Sequence, residues 1–525
     1  MSVKAVAVML SSISASAALT NGSMYRVDVT NAGGNSVSRS MDSDDDALKI
    51  NAIILSVPDS GGVLFFPAGT YLLRTRVKVY NKKNISFVGE GKSSVFKTLK
   101  GTGPYVSNVD FPLFDLFTST SIVFRELTFI GPGKIYGDPS NPAQGDNCQT
   151  PGILIRQSSD SARVSNCDFK NLNSGIRVEN SADCQISNNI FHGKIVQDGV
   201  QVISLSEVGS SPGKSARNIV SSNTFDFSSD ANGSMGIRLA GQSSDWSTLN
   251  CTVVGNTIRN AHFEGIVSEF SEGGTITGNT LSSCAYGIQL YDFRKGTVSA
   301  NTVENCPSVG IGLFSNVGGR AVTGNVVSGN SVINSGTKPG SHAVIVGGES
   351  ASIADSNMLV NNIIRGGNVN GINLMARNCT IKGNYIQSPG GTGIFMGSAK
   401  ARNCIIEGNF IMQPGAHGIL GGTGSTISGN YIVAKALPAA NTGGIWLEGY
   451  PDVTVTGNKV SGFGAFNEFI PKPKDNGIAM PGNSSGTSLK GGNYNNGSPE
   501  MVLPGGKVGI GTIVPTTSLD KKPGR

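Results

Sequence analysis

Three acidic residues stand out as candidates for acid–base chemistry: Glu264 and Glu269 in one short segment, and Asp292 one repeat later. Two carboxyl groups can cleave a glycosidic bond by protonating the leaving oxygen and activating water or attacking directly. The separation needed is roughly 5–5.5 Å for retention and 6.5–9.5 Å for inversion. Near them in the repeat pattern stand Arg177, Glu179, Gln201, Arg238, Gln289 and Tyr291. That set can bond hydroxyl groups, pair with a carboxylate and offer one aromatic ring. Trp446 with Glu448 is a second ring-and-carboxylate pair farther along.

Such residues converge only if the chain is periodic, and it is. A Gly-apolar-x-apolar motif begins at Gly175, Gly199, Gly236, Gly265, Gly287, Gly310, Gly371, Gly393, Gly418, Gly444 and Gly477, with Ala343 standing in once. Each copy alternates with period two, as a half-buried strand does. Ile288 and Leu290 face one way; Gln289 and Tyr291 face the other. A second motif, apolar-x-Gly-Asn-x-apolar, is interleaved with it. It is clearest at Asn279, Asn301, Asn384, Asn409 and Asn430, and looser at Asn189, Asn223, Asn256, Asn330, Asn362 and Asn458. Repeats of ~22 residues carrying two or three short strands each predict a stacked β-solenoid, with longer gaps as loops on a coil. The Asn residues are expected to form an internal ladder at a turn, each amide bonding the next coil's.

The outward row then reads Arg177 and Glu179, Gln201 and Ile203, Arg238 and Ala240, Val267 and Glu269, Gln289 and Tyr291, Gly312 and Phe314. Asp292 closes its strand and Glu264 opens the one before. Adjacent coils lie ~4.8 Å apart, so Glu269 and Asp292 could span either catalytic separation. Glu179, three coils from Glu269, reads as a binding residue. Arg238 could take a substrate carboxylate or lower a neighbour's pKa. The plainer reading of such charges is cross-coil ion pairs or solvated surface. Farther along, the row turns apolar through Asn373, Met375, Phe395 and Leu420. Loops expected at 204–218, 240–249 and 131–150 would wall a groove.

Composition narrows the classes. With 72 Gly and 14% charged residues the chain suits many turns and short strands. The net charge of +6 without a basic cluster gives no nucleic-acid footprint, and no apolar run is long enough to span a membrane. Cys184, Cys251, Cys379 and Cys404 each precede a ladder Asn by five residues, so they should point inward as reduced core residues. A Cys379–Cys404 disulfide is possible from stacking alone. The eight Cys and four His lack metal-site spacing, so no metal or cofactor is expected. The start, Lys4 before Ala5–Leu10 and small residues to Ala17, faintly resembles a secretion signal.

Ser43-Asp44-Asp45-Asp46-Ala47-Leu48 leads into a capped helix, followed by Gly61-Gly62-Val63-Leu64-Phe65-Phe66-Pro67-Ala68-Gly69-Thr70-Tyr71. This pair resembles the opening segment of pectate-lyase-like β-helix proteins. The resemblance implies an all-β, right-handed parallel β-helix with a short N-terminal capping helix and a small C-terminal tail. Gly506-Lys507-Val508-Gly509-Ile510-Gly511-Thr512 is similar to segments of phage tail fibres, which implies a tailspike-like polysaccharide depolymerase, a homotrimer and attachment to a virion tail. The Asn-Thr-Asp, Gly-His-Gly and Arg-Ile-Lys motifs of polygalacturonases are absent, as is the Arg-x-Pro-x-x-Arg of calcium-dependent pectate lyases. Tyr136-Gly137-Asp138-Pro139 only echoes the epimerase motif.

The expected organisation is an attachment or cap segment over 1–40, a capping helix and opening strands over 41–112, the β-helix over 113–497 and a fibre-like tail over 498–525. The expected activity is hydrolysis of a bacterial surface polysaccharide. Two alternatives stand beside it: a non-catalytic glycan-binding fibre or adhesin, and a secreted bacterial lyase or epimerase. A lyase would use Tyr291 and Arg238.

Overall fold

The computed structural model describes residues 25–32, 37, 45–98, 112–131, 151–206, 214–228, 234–243, 247–315, 321–348, 354–435, 442–447, 450 and 452–463, with backbone alone at 478–479, 488–489 and 494–495. Glu448, Tyr136–Pro139, the tail motif at 506–515, and most of the N-terminal segment and of the three wall loops lie outside the described residues.

Each coil carries three short strands, one for each of three long parallel sheets. In one coil these are Thr275–Thr277, Thr280–Ser282 and Tyr286–Tyr291. We call the sheets first, second and third in that order. The third sheet holds the Gly-apolar motif, and the Asn motif turns the chain from the first sheet into the second. The first sheet begins earlier than expected: Arg26–Asp28 pairs with Val63–Phe65, ahead of the helix. The segment expected as opening strands is already coiled, since Gly62–Phe66, Gly69–Leu73 and Val77–Tyr80 belong to the first, second and third sheets in turn.

The helix, Asp46–Ser56, starts at Asp45, whose carboxylate accepts from the Ala47 amide at 3.2 Å. Its polar side chains reach over the first coil. Asp46 accepts from the Leu72 amide at 2.7 Å, Asp45 from the Arg74 amide at 2.9 Å and Asn51 from the Lys78 amide at 2.7 Å.

The interior is a stack of like on like. Phe129, Phe169, Phe191 and Phe225 lie ring over ring with centroids 4.8, 4.9 and 4.6 Å apart. Among the described residues seven cysteines, including Cys184, Cys251, Cys379 and Cys404, are buried with free thiols. Burial pushes the Cys251 thiol up to about 11, which keeps it protonated and unreactive.

The motif glycines have a steric cause. A Cβ on Gly287 would lie 2.2 Å from the Gly310 carbonyl oxygen and 2.4 Å from Val303 Cγ1. The strand bends inward there, and only glycine fits.

The ladder runs through Asn189, Asn223, Asn256, Asn279, Asn301, Asn330, Asn362, Asn384, Asn409, Asn430 and Asn458. Each Nδ2 donates to the next Oδ1 at 2.9–3.0 Å. Asn301 shows the full set. It donates to the Ile276 carbonyl at 3.0 Å and to Asn330 at 2.9 Å, and its Oδ1 accepts from both nitrogens of Asn279 at 2.9 Å. In this column every ladder amide oxygen shown is used, and leaving one unpaired costs about 1–3 kcal/mol. We therefore expect Asn301→Ala to lower stability by about 2–4 kcal/mol, read as a drop in the urea unfolding midpoint; an unchanged midpoint would contradict the ladder's role.

Candidate active site

The outer face of the third sheet carries three rows, set by inter-coil register. The middle row runs Arg177–Gln201–Arg238–Val267–Gln289–Gly312. A second row runs Glu179–Ile203–Ala240–Glu269–Tyr291–Phe314. These are the outward positions expected from the alternation. A third row, at the strand starts, pairs Asp198 with Met235 and Glu264 with Tyr286.

Although these rows face outward, much of their floor is out of solvent. Asp198 and Gln289 are 0% exposed and Gln201 is 3% exposed. Gln289 and Phe314 explain part of this. Both fold over bare Gly312, where an added Cβ would meet the Phe314 ring at 2.2 Å and Gln289 Oε1 at 2.3 Å. The Tyr291 and Phe314 rings stack at 5.3 Å.

Asp198 was not among the expected site residues, yet the electrostatics centre on it. Both its carboxyl oxygens are buried without a hydrogen-bond partner among the described residues. Burial pushes its pKa up to about 7; Glu269 and Glu264 add to the rise, while Arg238 and Arg177 oppose it. Glu264 is raised too, chiefly by burial, and its Oε2 is likewise unpartnered. Burial, with Glu264, Tyr286 and Glu269 nearby, holds the Tyr291 phenol well above its usual value.

The arginines are already engaged. Arg238 bonds Glu269 at 2.7 Å and Arg177 bonds Glu179 at 2.5 Å. The plain ion-pair reading thus describes these four residues. Desolvation lowers the Arg238 pKa, but Asp198, Glu269 and Glu264 outweigh it and keep the group firmly charged.

The site therefore gathers Asp198, Arg177, Arg238, Glu264, Glu269 and Tyr291, with Gln201 and Gln289 beneath. Gln201 Oε1 and both polar atoms of the Gln289 amide are buried without partners among the described residues. Buried polar atoms in folded proteins are nearly always satisfied by protein, ordered water or ligand. A cluster of unsatisfied ones on one outer face marks a place where a polyhydroxylated molecule can bond.

Asp292 lies apart from the rows. It occupies the corner after Tyr286–Tyr291, with φ at +51° and 1% exposure. Trp446 lies far along the same face, its ring 4.7 Å from His417. Phe395, Leu420 and Trp446 are half-buried rather than exposed, so the apolar stretch is less open than expected. Among the described residues the strongly exposed large apolar side chains on the later coils stand on the other two sheets, at Met358, Ile363, Ile405 and Phe410.

Comparison with known proteins gives three successive family matches. Residues 39–223 match a model described as rhamnogalacturonase A/epimerase, pectate lyase-like; residues 134–342 match periplasmic copper-binding protein (NosD); residues 375–498 match right-handed beta helix region. The copper in the second description has no fitting donor set here: among the described residues no three His, Cys, Asp or Glu converge to hold a metal ion. No curated protein matches by sequence. Among solved structures, the catalytic domain of a GH87 alpha-1,3-glucanase in complex with nigerose aligns with a TM-score of 0.53 at 12% identity, covering 69% of this chain and 66% of that one. A variant of that domain in complex with tetrasaccharides gives 0.51 at 13%, with the same coverage of 69% and 66%. The chain thus spans just under two thirds of these relatives. The catalytic unit of a thermostable GH87 alpha-1,3-glucanase from Streptomyces thermodiastaticus strain HF3-3 gives 0.44 at 14% identity, covering 90% of this chain and 69% of that one. Sheet order, register and these matches together place the chain in the superfamily of pectate-lyase-like, right-handed parallel β-helix proteins.

Proposed function

We propose that this protein is a glycoside hydrolase that cuts a bacterial surface polysaccharide, such as capsule, exopolysaccharide or O-antigen, at the Asp198 cleft. One observation carries the reading. A fully buried, unpartnered carboxyl group with a pKa pushed to about 7 faces outward beside a second carboxyl that is also raised. An acid still protonated near neutral pH is what a leaving glycosidic oxygen requires.

Asp198 and Glu264 stand two coils apart on the same row, roughly 9.6 Å by backbone spacing. That suits the ~6.5–9.5 Å of an inverting pair better than the ~5–5.5 Å of a retaining one. Asp198 gives its proton to the glycosidic oxygen as the C–O bond breaks. Glu264 takes a proton from the water that attacks the anomeric carbon. Glu269, bound to Arg238, sets the charge beside them. Gln201, Gln289 and Tyr291 bond or stack against the sugar, with Arg177 and Glu179 at the cleft's earlier edge. Elimination is disfavoured because a phenol held above its usual pKa, as at Tyr291, is a poor base. Trimerisation and attachment to a phage tail through the N-terminal segment belong to the same tailspike-like proposal, and rest on the motif resemblance.

The test is incubation with capsular polysaccharides, O-antigens and α-1,3-glucan, following reducing ends and unsaturated uronates. New reducing ends without unsaturation are expected. Asp198→Asn and Glu264→Gln should lower kcat by about 10²–10⁴, well beyond the effect of Asp292→Asn. Unsaturated product would overturn hydrolysis. An Asp198→Asn protein with full activity would overturn the assignment of the acid.

Asp198 also makes a prediction about stability. Its folded pKa of about 7 lies above the unfolded value of roughly 3.9, so the folded protein holds the extra proton between those limits. Stability should therefore fall as pH rises through that window. Asp198→Asn should flatten this slope and raise Tm at pH 8 relative to the unmutated protein. Equal pH slopes in the two proteins would argue against a buried, protonated Asp198.

A further inference from the structure

The third sheet does not end its outward features at the cleft. Past Gln289 the middle row continues Gly312–Ile345–Asn373–Phe395–Leu420–Trp446, each in register with the next. No residue on this stretch is charged, in contrast to the cleft.

Three features of the stretch suit a sugar. The tip of the Phe395 ring fills the space that a Cβ of Gly397 would take, within 2.2 Å, so the ring lies along the sheet rather than standing off it. Trp446 sits against His417, whose pKa is lowered by burial, so the imidazole beside the indole is neutral at neutral pH. Asn373 is 7% exposed; its Nδ2 meets His342 Nε2 at 3.1 Å, while its Oδ1 is buried with no partner among the described residues. Half-buried rings with a few fixed polar atoms are the usual lining of a site for an uncharged ligand.

A second aromatic file, on the second sheet, fails the same test. Tyr385, Phe410 and Tyr431 stack on one another at 5.7 and 4.6 Å, with Arg365 and Lys459 over the two ends. Their faces are already covered.

We propose that the third-sheet surface from Asn373 to Trp446 is an accessory subsite that holds an uncharged stretch of polysaccharide. It lies three to six coils, about 14–29 Å, beyond Gln289. The proposal extends the hydrolase reading, since one glycan laid along the solenoid would meet cleft and subsite together. Phe395 and Trp446 bind sugar-ring carbons, and Asn373 Oδ1 accepts from a hydroxyl group.

The test is affinity electrophoresis of the full chain carrying Asp198→Asn, which leaves the glycan uncut. Gels contain dextran, pullulan, solubilised α-1,3-glucan or neutral capsular polysaccharide, with alginate as the charged control. Retardation by a neutral polymer is expected, weakened about tenfold by Trp446→Ala or Phe395→Ala, the order of a lost aromatic contact. Trp446→Phe should restore most of it, and circular dichroism checks that each variant folds. Retardation in alginate alone, retardation indifferent to both substitutions, or none in any gel overturns the subsite. Trp446-dependent retardation without cleavage by the unmutated protein would sink the hydrolase and leave the subsite standing. Cleavage with Trp446-independent retardation would do the reverse.

Discussion

The asparagine ladder sets the terms for everything else in this molecule. An amide side chain is both donor and acceptor, so a column of them can bond indefinitely at one fixed spacing. Here that column runs from Asn189 to Asn458 at 2.9–3.0 Å per link. Each link also ties backbone, because each Oδ1 takes the amide hydrogen of the preceding ladder residue, as Asn301 does from Asn279. The turn between first and second sheets therefore cannot slip. With that corner held, the third sheet inherits the same registry, and its outer side chains fall into columns. A column of unlike residues is where chemistry can be written.

The outer face of the third sheet departs from the ordinary use of a strand's two sides. Half-buried strands commonly put polar groups into water. Here several are put out of it, and what decides their state is the neighbouring charge. Arg177 and Arg238 are each within bonding reach of a glutamate. Asp198 has no such partner and is left to burial, which favours its neutral form. Asp198 is thereby set apart from the paired glutamates on the same face. The earlier coils pair their arginines with glutamates, and the later coils carry no charge on their middle row. One face thus offers two kinds of surface in sequence.

Much of this is legible in the sequence. The period-two alternation of Ile288–Tyr291 assigns inside and outside correctly, and the spacing of Asn279, Asn301 and Asn384 places the ladder. Local patterns suffice there because each repeat restates them. Asp198 was missed although it stands directly before Gly199, as Glu264 stands before Gly265. Reading the position before every motif glycine would have found it. Other features were beyond reach for a physical reason. The burial of Gln289 depends on Phe314 and on bare Gly312 in the next coil. The pairing of Arg238 with Glu269 depends on rotamers across coils. Such contacts join residues 23 to 31 positions apart, and no local pattern carries them.

The helix at the start has a consequence beyond tidying one end. A parallel sheet stops at a line of amides and carbonyls that could template another chain. Here Asp46, Asp45 and Asn51 occupy that line, accepting from the amides of Leu72, Arg74 and Lys78. Asn51 also donates to the Arg76 carbonyl at 3.1 Å. For the second and third sheets the helix is thus a terminator written in side chains: it stands in for a neighbouring strand at Leu72, Arg74 and Lys78. Because it answers the first coil's own hydrogen-bonding pattern there, stacking in those sheets acquires a direction.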